Sequence, residues 1–336
     1  VDWARAWPGC VEKGRETVII RLWGVRGSIP TPIMTDQYQQ KLSNVLRAAD
    51  GQDLSDPGKI ESFIDGLPQP DRMLVGGDTA CIEVSDEETC IILDAGSGIR
   101  RLGLEVMKGG RHANFGGAVH LIFTHHHHDH TCGFPFFIPA FLPTCDIRIH
   151  GLHKGLEERM SGLQVSQYFP VPLEVMPSKR TYHRLTADKP YRIGEFTITP
   201  TELNHPGDTY GYRIEWRDRV FVMASDTEFQ NPDEETINRF TEFFRDADVL
   251  YFDGQYTLQE AFVKEDWGHS SAMHGVDFGV RAGVKCLLVG HHDPAYDDET
   301  ILGQEATAGE YRDIMYPEAK LDIVTAVQGA TFDLSS

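Results

Sequence analysis

An α/β fold of two packed sheets with helices outside them follows from three features of this sequence. Short apolar runs bounded by turn residues, which read as buried strands, fill much of residues 17–150 and return over 191–326. Helical spacing follows the strands in each half. No linker divides the halves, and a length of 336 residues suits one large domain, taken as 1–336.

Residues 17–23 read as the first strand, and 24–32, rich in Gly and Pro, as a loop. Leu42, Val45 and Leu46 have helical spacing within 36–50, and Pro57 opens a second short helix over 57–66. The polar segment 36–66 is an insertion over the sheet: a lid, an oligomer contact or decoration, with a homodimer possible for the chain. Residues 76–84 and 89–93 pair as a hairpin, followed by a helix at 99–107. Strands follow at 118–123 and 145–150, then a mixed stretch to 180 with one short helix. The second half reads as strands 192–199, 211–216 and 219–224, helix 232–245, strand 248–252, helix 270–282, strand 285–289, helix 300–315 and strand 321–326. No internal repeat is visible.

The formal charge is −20, from 31 basic and 51 acidic residues. Such a surface repels polyanions, and no Lys/Arg cluster offsets it, which disfavours long nucleic acid and favours a small anionic substrate. No apolar run approaches about 18 residues, so no membrane span is expected, and the first residues carry no signal-peptide core. The cysteines Cys10, Cys81, Cys90, Cys132, Cys145 and Cys286 show no CxxC pair. They read as reduced thiols in a cytoplasmic protein.

The chemistry centres on Thr124-His-His-His-His-Asp-His130, just past an apolar strand. Alternation points His125 and His127 one way and His126 and His128 the other. Further along, His205 lies in a turn, Asp226 follows an apolar strand, and His291-His292 follows another. His125, His127 and His205 can serve one metal ion; Asp129, His130 and one of His291 or His292 a second; Asp226 can bridge. Nitrogen and carboxylate ligands suit Zn²⁺, with Mn²⁺ or Fe as alternatives. Two such ions can share a bridging hydroxide as nucleophile and clamp a phosphodiester. His291 ends the strand directly and is favoured over His292.

This set resembles the metallo-β-lactamase fold superfamily of metallo-hydrolases. Thr124-His-x-His-x-Asp-His130 matches its signature, and His205, Asp226 and His291 follow in its order. Asp94, in Leu-Asp-Ala-Gly, matches its supporting aspartate. The resemblance runs over about residues 17–330. It implies a four-layer αββα sandwich with a dinuclear site at one edge of the sheets.

Trp267-Gly-His-Ser-Ser is similar to the Gly-His-Ser-Thr segment of ribonuclease Z-like phosphodiesterases. The likeness implies that His269 acts as proton donor or phosphate contact and that Asp253 supports and orients it. Asp253-Gly-Gln-Tyr departs from the Glu-containing motif of ribonuclease Z, and no basic Gly-rich arm is present. Trp23-Gly-Val-Arg-Gly-Ser28 and Gly76-Gly-Asp-Thr79 resemble the cyclic-nucleotide phosphodiesterase-like branch. The expected function is hydrolysis of a small nucleotide, cyclic ones included, or of a related phosphodiester, by attack of a metal-bridging hydroxide. Hydrolysis of carboxylic esters, lactones or thioesters is the alternative, as is a non-hydrolytic accessory or ligand-sensing role.

Overall fold

The computed structural model describes residues 17–108 and 118–335; Cys10 and the first residues lie outside it. The first half supplies β1 (Ile19–Gly24), β2 (Cys81–Ser85), β3 (Cys90–Leu93), β4 (Ala118–Ile122), β5 (Asp146–Gly151) and β6 (Lys179–Arg184). The second supplies β7 (Tyr191–Ile193), β8 (Phe196–Glu202), β9 (Tyr210–Trp216), β10 (Arg219–Ala224), β11 (Val249–Asp253), β12 (Cys286–Gly290) and β13 (Asp322–Thr325), and β14 (Thr331–Asp333) closes the chain. The helices are α1 (Thr35–Ala48), α2 (Pro57–Asp65), α3 (Gln69–Arg72), α4 (Ile99–Met107), α5 (His128–Thr131), α6 (Leu156–Gly162), α7 (Glu234–Phe244), α8 (Leu258–Val263), α9 (Ala272–Ala282) and α10 (Asp298–Met315).

Two sheets result, ordered β14-β1-β2-β3-β4-β5-β6 and β13-β12-β11-β10-β9-β8-β7. Each is antiparallel over its first three pairings and parallel over the next three, counted from β14 and from β7. The halves therefore share a topology that no sequence repeat betrays.

Alternation along the strands builds four layers. On β4, Ile122 joins Ile20, Leu22 and Ile82 against Ile198, Tyr212, Ile214 and Leu288 of the other sheet. Its neighbours Val119 and Leu121 face the other way, with Ile99 and Leu102 of α4. Behind the second sheet, Leu250, Phe252 and Leu287 pack on Phe240 and Phe244 of α7 and on Val276 and Phe278 of α9. Period-two side chains thus feed the shared core and an outer helical layer at once.

Several elements differ from expectation. Residues 192–199 are not one strand: the chain reverses at Gly194, whose φ of +54° suits glycine, and continues as β8. Residues 76–80 run as loop, with the Asp78 carbonyl accepting from the Val25 and Arg26 amides. The edge strand β6, Lys-Arg-Thr-Tyr-His-Arg, lacks the apolar pattern because only a strand buried on a face needs one. β14 and α8 are too short to signal themselves. The 36–66 segment forms α1 and α2 between β1 and β2. Neither helix buries a residue, and Tyr38, Leu42 and Leu46 stay exposed. No helix among the described residues is long and apolar enough to cross a membrane.

The topology places the site. Asp94 follows β3, residues 125–130 follow β4, Asp226 follows β10, Asp253 ends β11 and His291 follows β12. All lie at carboxyl ends of strands in or bordering the parallel halves, where open sheets leave room for ligands.

Candidate metal centre

The nitrogens of the first group converge. His125 Nε2 lies 2.8 Å from His127 Nδ1, which lies 3.3 Å from His205 Nε2. In the second group, His130 Nε2 is 3.3 Å from both Asp129 Oδ2 and Asp226 Oδ2. His291 Nε2 is 3.1 Å from Asp226 Oδ1 and 3.8 Å from Asp129 Oδ2. Asp226 Oδ1 also lies 3.9 Å from His125 Nε2 and from His205 Nε2, so this carboxylate faces both groups. Each group has its ligand atoms within 4.8 Å of one another.

The supporting contacts leave the converging atoms free for a cation. Asp94, fully buried, accepts from the Thr124 amide at 2.8 Å, from Thr124 Oγ1 at 2.8 Å and from His130 Nδ1 at 2.7 Å. That fixes the His130 tautomer and presents Nε2. Thr124 Oγ1, committed to Asp94, accepts from His125 Nδ1 at 3.0 Å. His205 Nδ1 donates to the Gly268 carbonyl at 2.8 Å. The buried His130 Nε2 and His291 Nε2 have no hydrogen-bond partner. Unsatisfied buried imidazole nitrogens beside two carboxylates are what a divalent cation would satisfy, so the residues fit one.

The His291/His292 choice follows from the backbone. His291 has φ +58° and turns its ring into the cluster, its Nδ1 3.2 Å from Ser225 Oγ. His292 points away and donates from Nε2 to the Ala326 carbonyl at 2.9 Å. Asp94 and Asp226 are left-handed too, with φ of +61° and +58°, as is Ser28 at +63°. Such conformations cost about 1–3 kcal/mol each and tend to gather at functional sites. Asp226 is no helix cap: α7 is capped by Asp233, which accepts from the Thr236 amide.

His126 lies against Phe123 and His153, and His128 is exposed; neither joins the cluster. Cys132 Sγ packs 3.9 Å from Thr79 Oγ1. Arg26 is consumed by loop packing, bonding to the carbonyls of Gly76, Asp293 and Tyr296. That loop carries a site group the sequence did not suggest: the Ser28 amide donates to Asp129 Oδ2 at 2.8 Å. Its neighbour Gly27 lies so close that a Cβ there would meet the His291 ring at 2.6 Å.

Asp253 and His269 form a pair above both groups. Asp253 Oδ2 accepts from His269 Nδ1 at 2.8 Å and from the Asp226 amide at 3.0 Å. Its Oδ1 accepts from the Gln255 and Ser270 amides at 3.1 and 3.2 Å. The His269 ring stacks 5.2 Å from His291 and lies 4.9 Å from His205. A groove of about 690 Å³ lined by Asn204, Glu228, Gln230, Asp233 and Arg239 contains none of these site residues.

Residues 89–292 match the family described as the beta-lactamase superfamily domain. The chain belongs to the beta-lactamase superfamily. A ribonuclease Z of Thermoplasma acidophilum is 22% identical over 303 residues, covering 76% of this superfamily member and 93% of that protein. The metallo-beta-lactamase fold protein YhfI from Bacillus subtilis has a TM-score of 0.61 at 15% identity, covering 95% and 100% of the two chains. Zn²⁺-bound PqqB from Methylobacterium extorquens has a TM-score of 0.59 at 14% identity, covering 94% and 100%. The two structures establish the αββα sandwich. Within the superfamily, this chain is a metal-dependent hydrolase.

Electrostatics give the metal-free centre a measurable signature. Burial pulls His291 down, but Asp226, Asp253 and Asp129 outweigh it and push it up to about 9. Burial likewise opposes a charge on His130, yet Asp226, Asp129 and Asp94 hold it well above its usual range. Both are therefore protonated at neutral pH without metal, and a ligating imidazole must be neutral. The stability these raised histidines lend the metal-free fold is complete below pH 6.5, their ordinary value, and for His291 is lost as pH rises through about 9. Metal affinity should rise across that window. Titration with Zn²⁺ at pH 7 in buffers of different ionisation enthalpy should release roughly two protons for the second group; release near zero would contradict this charge assignment.

Proposed function

We propose that this protein hydrolyses phosphodiester bonds in small nucleotides, cyclic ones among them, at a dinuclear centre that holds Zn²⁺ in preference to Mn²⁺ or Fe. The observation that carries the reading is the placement of the Asp253–His269 pair over two ligand groups that share Asp226. His125, His127 and His205 would hold one ion, and Asp129, His130 and His291 the other. When bound, two divalent ions supply Lewis acidity to phosphoryl oxygens and lower the pKa of water.

The chain's own groups do the rest. Asp129, held by the Ser28 amide, keeps one oxygen directed at His130 and His291. Asp253 fixes the His269 ring through Nδ1, leaving Nε2 to deliver a proton to the departing oxygen. A thioester hydrolase needs such a donor less, because a thiol is far more acidic than an alcohol and its thiolate departs unaided. The ribonuclease Z relative, by its name, also cleaves a phosphodiester. A small substrate is favoured over tRNA, because the net charge of −20 opposes a polyanion. A cytoplasmic setting and a homodimer built on α1 and α2 complete the proposal.

Turnover of bis-p-nitrophenyl phosphate by metal-loaded protein tests it. Asp129→Ala should lower kcat/KM by about 10²–10³-fold, the scale of losing one preorganised electrostatic contact in such a site. If metal-replete protein turns over only lactones or thioesters, the phosphodiesterase assignment is wrong.

A further inference from the structure

The turn 266–268 lies between the His205 loop and His269, and it is held from below by a residue outside both ligand groups. Glu228 is buried, at 8% exposure. Its Oε1 accepts from the Asp266 amide at 3.0 Å and its Oε2 from the Gly268 amide at 2.7 Å. The backbone is left-handed at both donors, with φ of +66° at Asp266 and +83° at Gly268. Backbone amides gathered in this way form a concave anion site, here filled by the chain's own carboxylate. The same turn presents the Gly268 carbonyl to His205 Nδ1 at 2.8 Å, and the next residue is His269. Glu228 is also tied to the His205 loop: its amide donates to the Asn204 carbonyl at 2.9 Å, and Asn204 Nδ2 donates back to the Glu228 carbonyl at 3.0 Å.

We propose that Glu228 is a positioning residue that sets the first metal position and the proton donor together. The carboxylate fixes the 266–268 turn. The turn's Gly268 carbonyl fixes the His205 tautomer, so that Nε2 and not Nδ1 faces His125 and His127. The turn's exit fixes where His269 begins. The second group is held by other means, Asp94 for His130, the Ser28 amide for Asp129 and Ser225 for His291. Loss of the Glu228 charge should therefore act on one metal position and spare the other, a separation that general loosening of the fold would not produce. The space at Gly268 follows the same logic: a Cβ there would lie 2.2 Å from His205 Nδ1.

The inference rests on reading the cluster as a metal centre, and its test needs no turnover. Zn²⁺ affinity is measured by chelator competition for the parent, Glu228→Gln, Gly268→Ala and His127→Ala, with thermal melting of each. The parent should bind two ions. Glu228→Gln keeps the size but puts an NH₂ where a backbone N–H needs an acceptor. It should weaken one binding step by about 10–100-fold, the usual cost of losing an outer contact to a ligand. The weakened step should be the one that His127→Ala weakens, and Gly268→Ala should reproduce the effect. Equal weakening of both steps, or unchanged affinities in Glu228→Gln, overturns the role of Glu228 and leaves the metal centre standing. A parent that binds no Zn²⁺ tightly overturns both.

Discussion

Asp226→Asn should abolish stable binding of the metal pair and lower phosphodiester turnover by about 10²–10³-fold. The residue is 1% exposed, its Oδ1 is within 3.9 Å of His125, His205 and His291, and its Oδ2 is 3.3 Å from His130. Among the described residues, no other carboxylate pairs with histidines of both groups. Were two dications held close together there, the Asp226 carboxylate would offset their repulsion, and an amide would supply no such charge. The metal-free protein should suffer as well. His130 and His291 are held protonated chiefly against Asp226, and removing one partner of a buried charge pair costs about 3–5 kcal/mol. A lower melting temperature in chelator, together with loss of zinc by elemental analysis, is the expected pair of results. An Asp226→Asn protein that retains two zinc ions at parental affinity would remove the bridge from the mechanism.

Why so much of this centre was legible in sequence, and some not, has a physical reason. His125, His127, Asp129 and His130 share one short segment because a strand end and a single helical turn can aim four side chains at one place. Asp226 and His291 stand out as polar residues at points where an apolar strand has just ended, and His205 as a histidine in a turn before a strand. What they share beyond this, the left-handed backbone at Asp226 and His291, is a property of dihedral angles and leaves no mark on residue type. Ser28 was missed because its contribution is an amide that nearly any residue would carry. Glu228 was missed because a lone carboxylate two positions past Asp226 gains meaning only when the turn 266–268 folds onto it. The fold shows the same division. Strands buried on both faces, such as β4, β11 and β12, announce themselves in apolar runs, while the polar edge strand β6 and the three-residue β14 are defined by the neighbours they pair with.

His269→Ala should lower turnover by about 10²–10⁴-fold on a phosphodiester with an alkyl leaving group, and far less on bis-p-nitrophenyl phosphate. The difference arises because an alkoxide needs a proton as it departs, whereas nitrophenolate leaves without one. Geometry makes His269 the candidate donor: its Nδ1 is spent on Asp253 at 2.8 Å, and its ring lies between those of His205 and His291. Asp253→Asn should show the same leaving-group dependence more weakly. The amide keeps the size of the side chain and one oxygen, but it loses the charge that steadies a protonated imidazole, and three backbone amides compete for what remains. One competing role is built into the same geometry. A nitrogen of His269 lies within 4.8 Å of ligand atoms on His205 and Asp226, close enough to act as an additional metal ligand. The two roles separate cleanly. A donor changes leaving-group sensitivity at constant zinc content; a ligand changes zinc content and slows both substrates by the same factor. Equal losses on the two substrates with zinc depleted would therefore move His269 from proton transfer to metal binding.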